Sequence, residues 1–82
     1  MDNIVGVNRD RDTLIATLWK LAWKEDRVTC AVYRQDGGFQ LRLESGTATI
    51  FSEPFNLQPR MLARSRALRN SLKRRGWHDP PE

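Results

Sequence analysis

The stretch Asp12-Thr13-Leu14-Ile15-Ala16-Thr17-Leu18-Trp19-Lys20-Leu21-Ala22-Trp23 decides how the remaining elements can be arranged. Leu14, Leu18, Leu21 and Ala22, with Ile15 at the edge, recur at helical spacing and predict an amphipathic helix. Asp10 or Asp12 would start it, since either carboxylate can accept orphan amide hydrogens and complement the helix dipole. Trp19 and Trp23 stand beside the apolar stripe and widen it beyond one packed face. Such a helix would meet a sheet on one side and a second helix, or another subunit, along its tryptophan edge.

Three strand signals follow. Val28-Thr29-Cys30-Ala31-Val32-Tyr33 is rich in β-branched and aromatic residues, and Asp36-Gly37-Gly38 reads as a hairpin turn. Phe39-Gln40-Leu41-Arg42-Leu43-Glu44 alternates apolar and polar, as a half-buried strand does. A second turn centred on Ser45-Gly46 leads into Thr47-Ala48-Thr49-Ile50-Phe51, which Pro54 ends. These turns set Val32 opposite Leu41, Cys30 opposite Leu43, Leu41 opposite Ile50 and Leu43 opposite Ala48. Cys30, Val32, Leu41, Leu43, Ala48 and Ile50 then share the core face. Tyr33, Gln40 and Phe51 line up on the other, with Arg42 beside them. A slip of one residue would invert the partition.

Asn56 to Pro59 opens a second helix, whose inward stripe is Met61, Ser65, Leu68 and Leu72 and whose stop is Gly76, with Trp77 folding back as the apolar partner of a glycine cap. The predicted fold is therefore α+β in the order α-β-β-β-α, a three-stranded antiparallel meander with two helices on one face. Residues 10–77 would form the single domain, after a flexible lead over 1–9 and before a flexible tail over 78–82.

An 82-residue chain has room for one core. Cys30 is the only cysteine, so no internal disulfide can form. The N-terminal residues carry Asp2, Asp10 and Asp12 and no apolar run of signal-peptide length, and no stretch is long and apolar enough to cross a bilayer. The expected location is cytoplasmic.

Catalysis has little support. His78 is the only histidine and Cys30 sits on the predicted core face, where a thiol behaves as a small hydrophobe. No spacing suggests a carboxylate pair, a zinc-ligand set or a phosphate loop, so no cofactor, metal or small-molecule substrate is expected and the chain reads as a non-enzyme.

Binding is the better class. Between Pro54 and His78 lie seven cations, Arg60, Arg64, Arg66, Arg69, Lys73, Arg74 and Arg75, and no acid, against a remainder of net −3. This asymmetry points to contact with nucleic-acid backbone, or to a solvated helix whose arginines pair with acids elsewhere. On a helical wheel the cations do not form one stripe: Arg64 and Arg75 flank the apolar side, Arg66, Arg69 and Lys73 the other flank, and Arg60 and Arg74 point outward. The open sheet face, with Tyr33, Gln40, Arg42 and Phe51, is a candidate for stacking bases or burying a protein partner, unless its aromatics are merely exposed. Trp19 and Trp23 are candidates for a homodimer contact. An inhibitor of another protein fits the size equally well.

The α-β-β-β-α order is shared with double-stranded-RNA-binding domains, without their motifs, so the likeness is one of topology alone. The runs Cys30-Ala31-Val32-Tyr33-Arg34, Gly38-Phe39-Gln40-Leu41-Arg42-Leu43 and Leu72-Lys73-Arg74-Arg75-Gly76-Trp77 resemble small bacterial proteins of unassigned function in which a short meander precedes a helix ending in Gly-Trp. The resemblance covers residues 28–77. It implies bacterial or phage origin and the same architecture, and carries over no site residue.

Overall fold

The computed structural model describes residues 13–81. Among these residues four strands, β1 (Thr13–Trp23), β2 (Asp26–Gln35), β3 (Gly38–Ser45) and β4 (Ala48–Phe55), precede one helix, α1 (Gln58–Arg74). The strands form an antiparallel meander in the order β1-β2-β3-β4, and α1 packs across one face. The fold is α+β, but the order over the described residues is β-β-β-β-α. The predicted three-stranded meander with two helices is corrected at the opening stretch, which is a strand. The likeness of topology to double-stranded-RNA-binding domains falls with it.

Two physical causes explain the correction. Opposite β2, the register of β1 shifts between Leu14 and Ala16 and again between Thr17 and Trp19. Each shift inserts one residue, Ile15 and then Leu18, and so moves the apolar alternation by one position. A period of two broken in this way imitates a period near 3.6. Past the second bulge the alternation is plain: Trp19, Leu21 and Trp23 pair with Cys30, Val28 and Asp26 and face the helix. The second cause is the turn. Lys24 and Glu25 close a two-residue hairpin with Lys24 at φ 56°, a left-handed conformation for which no glycine or asparagine gives warning. The predicted cap at Asp10 or Asp12 and the predicted lead over 1–9 lie outside the described residues.

The Asp36-Gly37 hairpin is found as expected, with Val32 opposite Leu41 and Cys30 opposite Leu43. The next turn is displaced. Ser45 pairs with Ala48, which centres it on Gly46-Thr47, and a bulge at Ile50 then sets Leu43 against Phe51 and Leu41 against Glu53. Beyond Ile50 the total shift is an odd number of residues, so that part of β4 is inverted relative to expectation. Ala48 and Ile50, predicted as core, are exposed, while Phe51 turns toward α1 and joins the edge of the core. Pro54 does not end the strand; it lies within β4, an edge strand, where a missing amide is tolerated.

The core is Leu21, Val28, Cys30, Val32, Leu41, Leu43 and Met61, ringed by half-buried side chains that include Trp19, Phe39, Phe51, Leu68, Leu72 and Trp77. The inward stripe of α1 falls where its periodicity placed it, with Met61 and Ser65 buried and Leu68 and Leu72 half-buried.

α1 ends in a Schellman motif. Gly76 at φ 108° donates its amide to Lys73 O, and Trp77 donates to Leu72 O. That left-handed residue turns the chain back toward β1. There His78, read from sequence as the start of a flexible tail, forms an antiparallel bridge with Ala22: Ala22 N donates to His78 O at 2.7 Å and His78 N to Ala22 O at 2.9 Å. The bridge satisfies backbone groups at one end of the β1 edge of the sheet.

Candidate functional site

α1 begins after Leu57, with Pro59 in its first turn and no acid there to complement its dipole. Its last turn holds Lys73 and Arg74, which that dipole favours. The burial of Met61 and Ser65 fixes which way each cation points, and the seven then separate into two groups.

Three are engaged. Arg64 Nε donates to Glu53 Oε1 at 3.0 Å, and its guanidinium carbon stands 5.6 Å from the centroid of the Phe51 ring. Arg69 Nη2 donates to Asp79 Oδ1 at 3.1 Å and Lys73 Nζ to Asp79 Oδ2 at 3.4 Å. Lys73, and then Arg69, hold the Asp79 carboxyl below its ordinary range. The other four, Arg60, Arg66, Arg74 and Arg75, are exposed and have no ion-pair partner among the described residues. Arg60 and Arg74 project from the solvent side, separated along the axis by ~21 Å. Arg66 and Arg75 lie toward its flanks.

Charge placement sharpens the contrast. Residues 13–81 hold twelve of the fourteen cations and six of the ten acids. Of those six, Glu25, Asp26 and Asp36 belong to hairpin ends, Glu44 is bound by Tyr33, and Glu53 and Asp79 take the engaged cations. The solvent side of α1 carries arginine, alanine and asparagine, with no acid.

The sheet face away from α1 differs from the expected aromatic row. Across from Gln40 stand Tyr33 and Pro54, and Phe51 lies on the opposite side of the sheet. Tyr33 OH donates to Glu44 Oε2 at 2.8 Å, which raises the phenol above its ordinary value. The Arg42 guanidinium lies over the Tyr33 ring, 4.0 Å from its centroid, while Arg42 Nε donates to Gln40 Oε1. These groups bind one another, and a base stacking on Tyr33 from that side would have to displace Arg42.

The tryptophans also part company. Trp19 is half-buried and donates Nε1–H to Ser65 Oγ at 2.9 Å, so it joins sheet to helix. Trp23 keeps 39% of its surface exposed and meets Trp77, with ring centroids 5.9 Å apart and an interplanar angle of 40°. Lys24 Nζ stands 4.7 Å from the Trp23 ring centroid. The sequence signalled Trp77 through the glycine cap. It gave no sign of Lys24, whose position depends on the unsignalled turn.

Cys30 is buried, and burial pushes its thiol up to about 11. His78 is exposed, with Nδ1 2.9 Å from the Asp79 carbonyl oxygen. Among the described residues no three histidine, cysteine, aspartate or glutamate side chains converge as metal ligands, and no helix is long and apolar enough to cross a membrane. A groove of about 270 Å³ opens between β1 and the start of α1, lined by Ile15, Leu18, Phe39 and Leu62 among others. Comparison with protein families, curated proteins and solved structures returns no match.

Proposed function

We propose that the protein is a non-enzymatic cytoplasmic binding module that holds nucleic-acid backbone on the solvent side of α1. The observation that carries this reading is the sorting of the helical cations. Arg64, Arg69 and Lys73 are matched by Glu53 and Asp79, whereas Arg60, Arg66, Arg74 and Arg75 project into solvent with no matching acid among the described residues. Arginines of this kind neutralise phosphates and release counterions, giving affinity that is independent of sequence and falls with salt. Burial of Cys30 withholds its thiol from solvent, which supports a role other than catalysis.

The test is direct. Replacing Arg60, Arg66, Arg74 and Arg75 together by glutamate is expected to abolish retention on nucleic acid at low salt. Retention equal to the wild type would overturn the reading.

A second reading, a protein-interaction module or inhibitor, draws support from the apolar groove beside β1 and from Ile15 and Leu57, which remain 42% and 56% exposed. It predicts that Ile15→Ser with Leu57→Ser changes the mass measured in solution or the capture of a protein partner, with nucleic-acid retention unaltered.

A further inference from the structure

Trp23 and Trp77 lie where β1, the Lys24-Glu25 turn and the end of α1 meet. Trp77 rests against Trp23 at a tilt, so one partner of the pair is protein. Lys24 is different in kind. It is a long, solvated side chain laid over the indole by the left-handed backbone at its own position, and it makes no ion pair among the described residues. A flexible cation over an exposed indole can move aside.

The surroundings are cationic. Gly76 passes the indole edge so closely that a Cβ there would stand 3.5 Å from Trp23 Nε1. Arg74 and Arg75, the two residues before it, belong to the unpaired set. In the turn, Arg27 Nη1 donates to the carbonyls of Lys24 and Asp26, at 3.5 and 3.1 Å. By chain adjacency Lys24, Arg27, Arg74 and Arg75 stand against Glu25, Asp26 and Asp79, and the cluster is net positive.

A partly exposed indole covered by a movable lysine and bordered by cations without ion pairs among the described residues suits one chemical class, a nucleic-acid strand whose bases are free to stack. A duplex offers phosphates to the arginines but keeps its bases from the indole. We infer that the end of α1 is a binding site for single-stranded nucleic acid, in which a base stacks on Trp23 in place of Lys24 while neighbouring phosphates reach Arg74 and Arg75. The inference rests on the proposed function and adds the kind of strand and the stacking residue.

The experiment compares a mixed single strand of about 16 nucleotides with the duplex of the same sequence, by fluorescence anisotropy at low salt. Trp23→Leu keeps an apolar side chain against Trp77 and removes the π-face; Trp23→Phe keeps a ring. The expected result is a loss of about tenfold or more in single-strand affinity for Trp23→Leu, rescue by Trp23→Phe, and duplex affinity unchanged. Tryptophan emission of the wild type should be quenched by the single strand and not by the duplex, a readout that needs no substitution. Equal losses on both ligands, or none on either, together with unquenched emission, would overturn the stacking site and leave the arginine reading standing. A wild type that binds neither ligand would overturn both.

Discussion

The indole of Trp19 donates to the hydroxyl of Ser65 across 2.9 Å, and this one bond ties the edge strand to the middle of the helix. Ser65 is 3% exposed, and the Cys30 thiol lies 3.9 Å from its Oγ. Ser65→Ala would therefore leave a half-buried indole N–H without its partner in a place water reaches poorly. The expected cost is about 1–3 kcal/mol, more than the loss of an ordinary exposed hydrogen bond. Urea denaturation measures it, and an unchanged midpoint would mean that the indole finds another acceptor.

Cys30 is expected to be silent to thiol reagents at pH 8 and to react once the chain is unfolded. Burial raises its thiol from 9.0 to about 11 in the folded protein. The folded state thus holds the proton more tightly than the unfolded state. The stability linked to this group is complete below pH 9 and is lost as pH rises toward 11. Comparing the alkaline slopes of wild type and Cys30→Ala isolates the group: the variant should lack this part of the decline, whatever its stability at neutral pH.

How much of this could be read from the residues depends on whether a local signal agreed with the final geometry. The Asp36-Gly37 hairpin and the inward stripe of α1 were legible because glycine and a 3.6-residue period speak directly for their structures. β1 was not, because bulges at Ile15 and Leu18 shift an alternating pattern into a helical one and Lys24-Glu25 hides a turn. β4 failed for a related reason: a turn placed one residue late and a bulge at Ile50 exchange Phe51 and Ile50 between faces. The candidate arginines were all visible in sequence. Which of them are matched was not, since Glu53 and Asp79 reach them only through the β4 register and the Gly76 reversal.

Asp79 should make the closure of the tail sensitive to acid. Lys73, with Arg69, stabilises its charged form and lowers its folded value beneath the ordinary 3.8. The stability linked to this pairing is present above the unfolded value and is lost as pH falls through the folded one. The carboxylate is exposed, so the effect is local and screened by salt. Amide exchange at Ala22 and His78, whose bridge lies beside Asp79 in the chain, is the measurement that registers it. As pH falls through that lowered value, exchange corrected for its intrinsic rate should approach that of Asp79→Asn. Equal exchange in the two proteins at neutral pH, where the carboxylate is charged, would assign the closure to the backbone bridge and the tryptophan pair alone.

The same substitution makes the strongest prediction about binding, because it changes charge in the opposite direction from the arginine variants. Asp79→Asn removes the acid that engages Arg69 and Lys73 and leaves both cations free on the flank that also carries Arg66. If affinity comes from phosphates held on α1, each freed cation adds to the number neutralised, and the salt slope steepens by about 0.7 for each on a single strand. Nucleic acid should then bind Asp79→Asn more tightly than wild type at low salt. Glutamine at Arg60, Arg66, Arg74 and Arg75 should flatten the slope by up to about 3. Glu53→Gln, which frees Arg64 next to the sheet, tests whether the geometry of the solvent side matters or only the total charge. A gain from Asp79→Asn without one from Glu53→Gln would locate the phosphate path on the flank of Arg66, Arg69 and Lys73. Equal gains from both would make the affinity a property of net charge, and no helix face would then define the site.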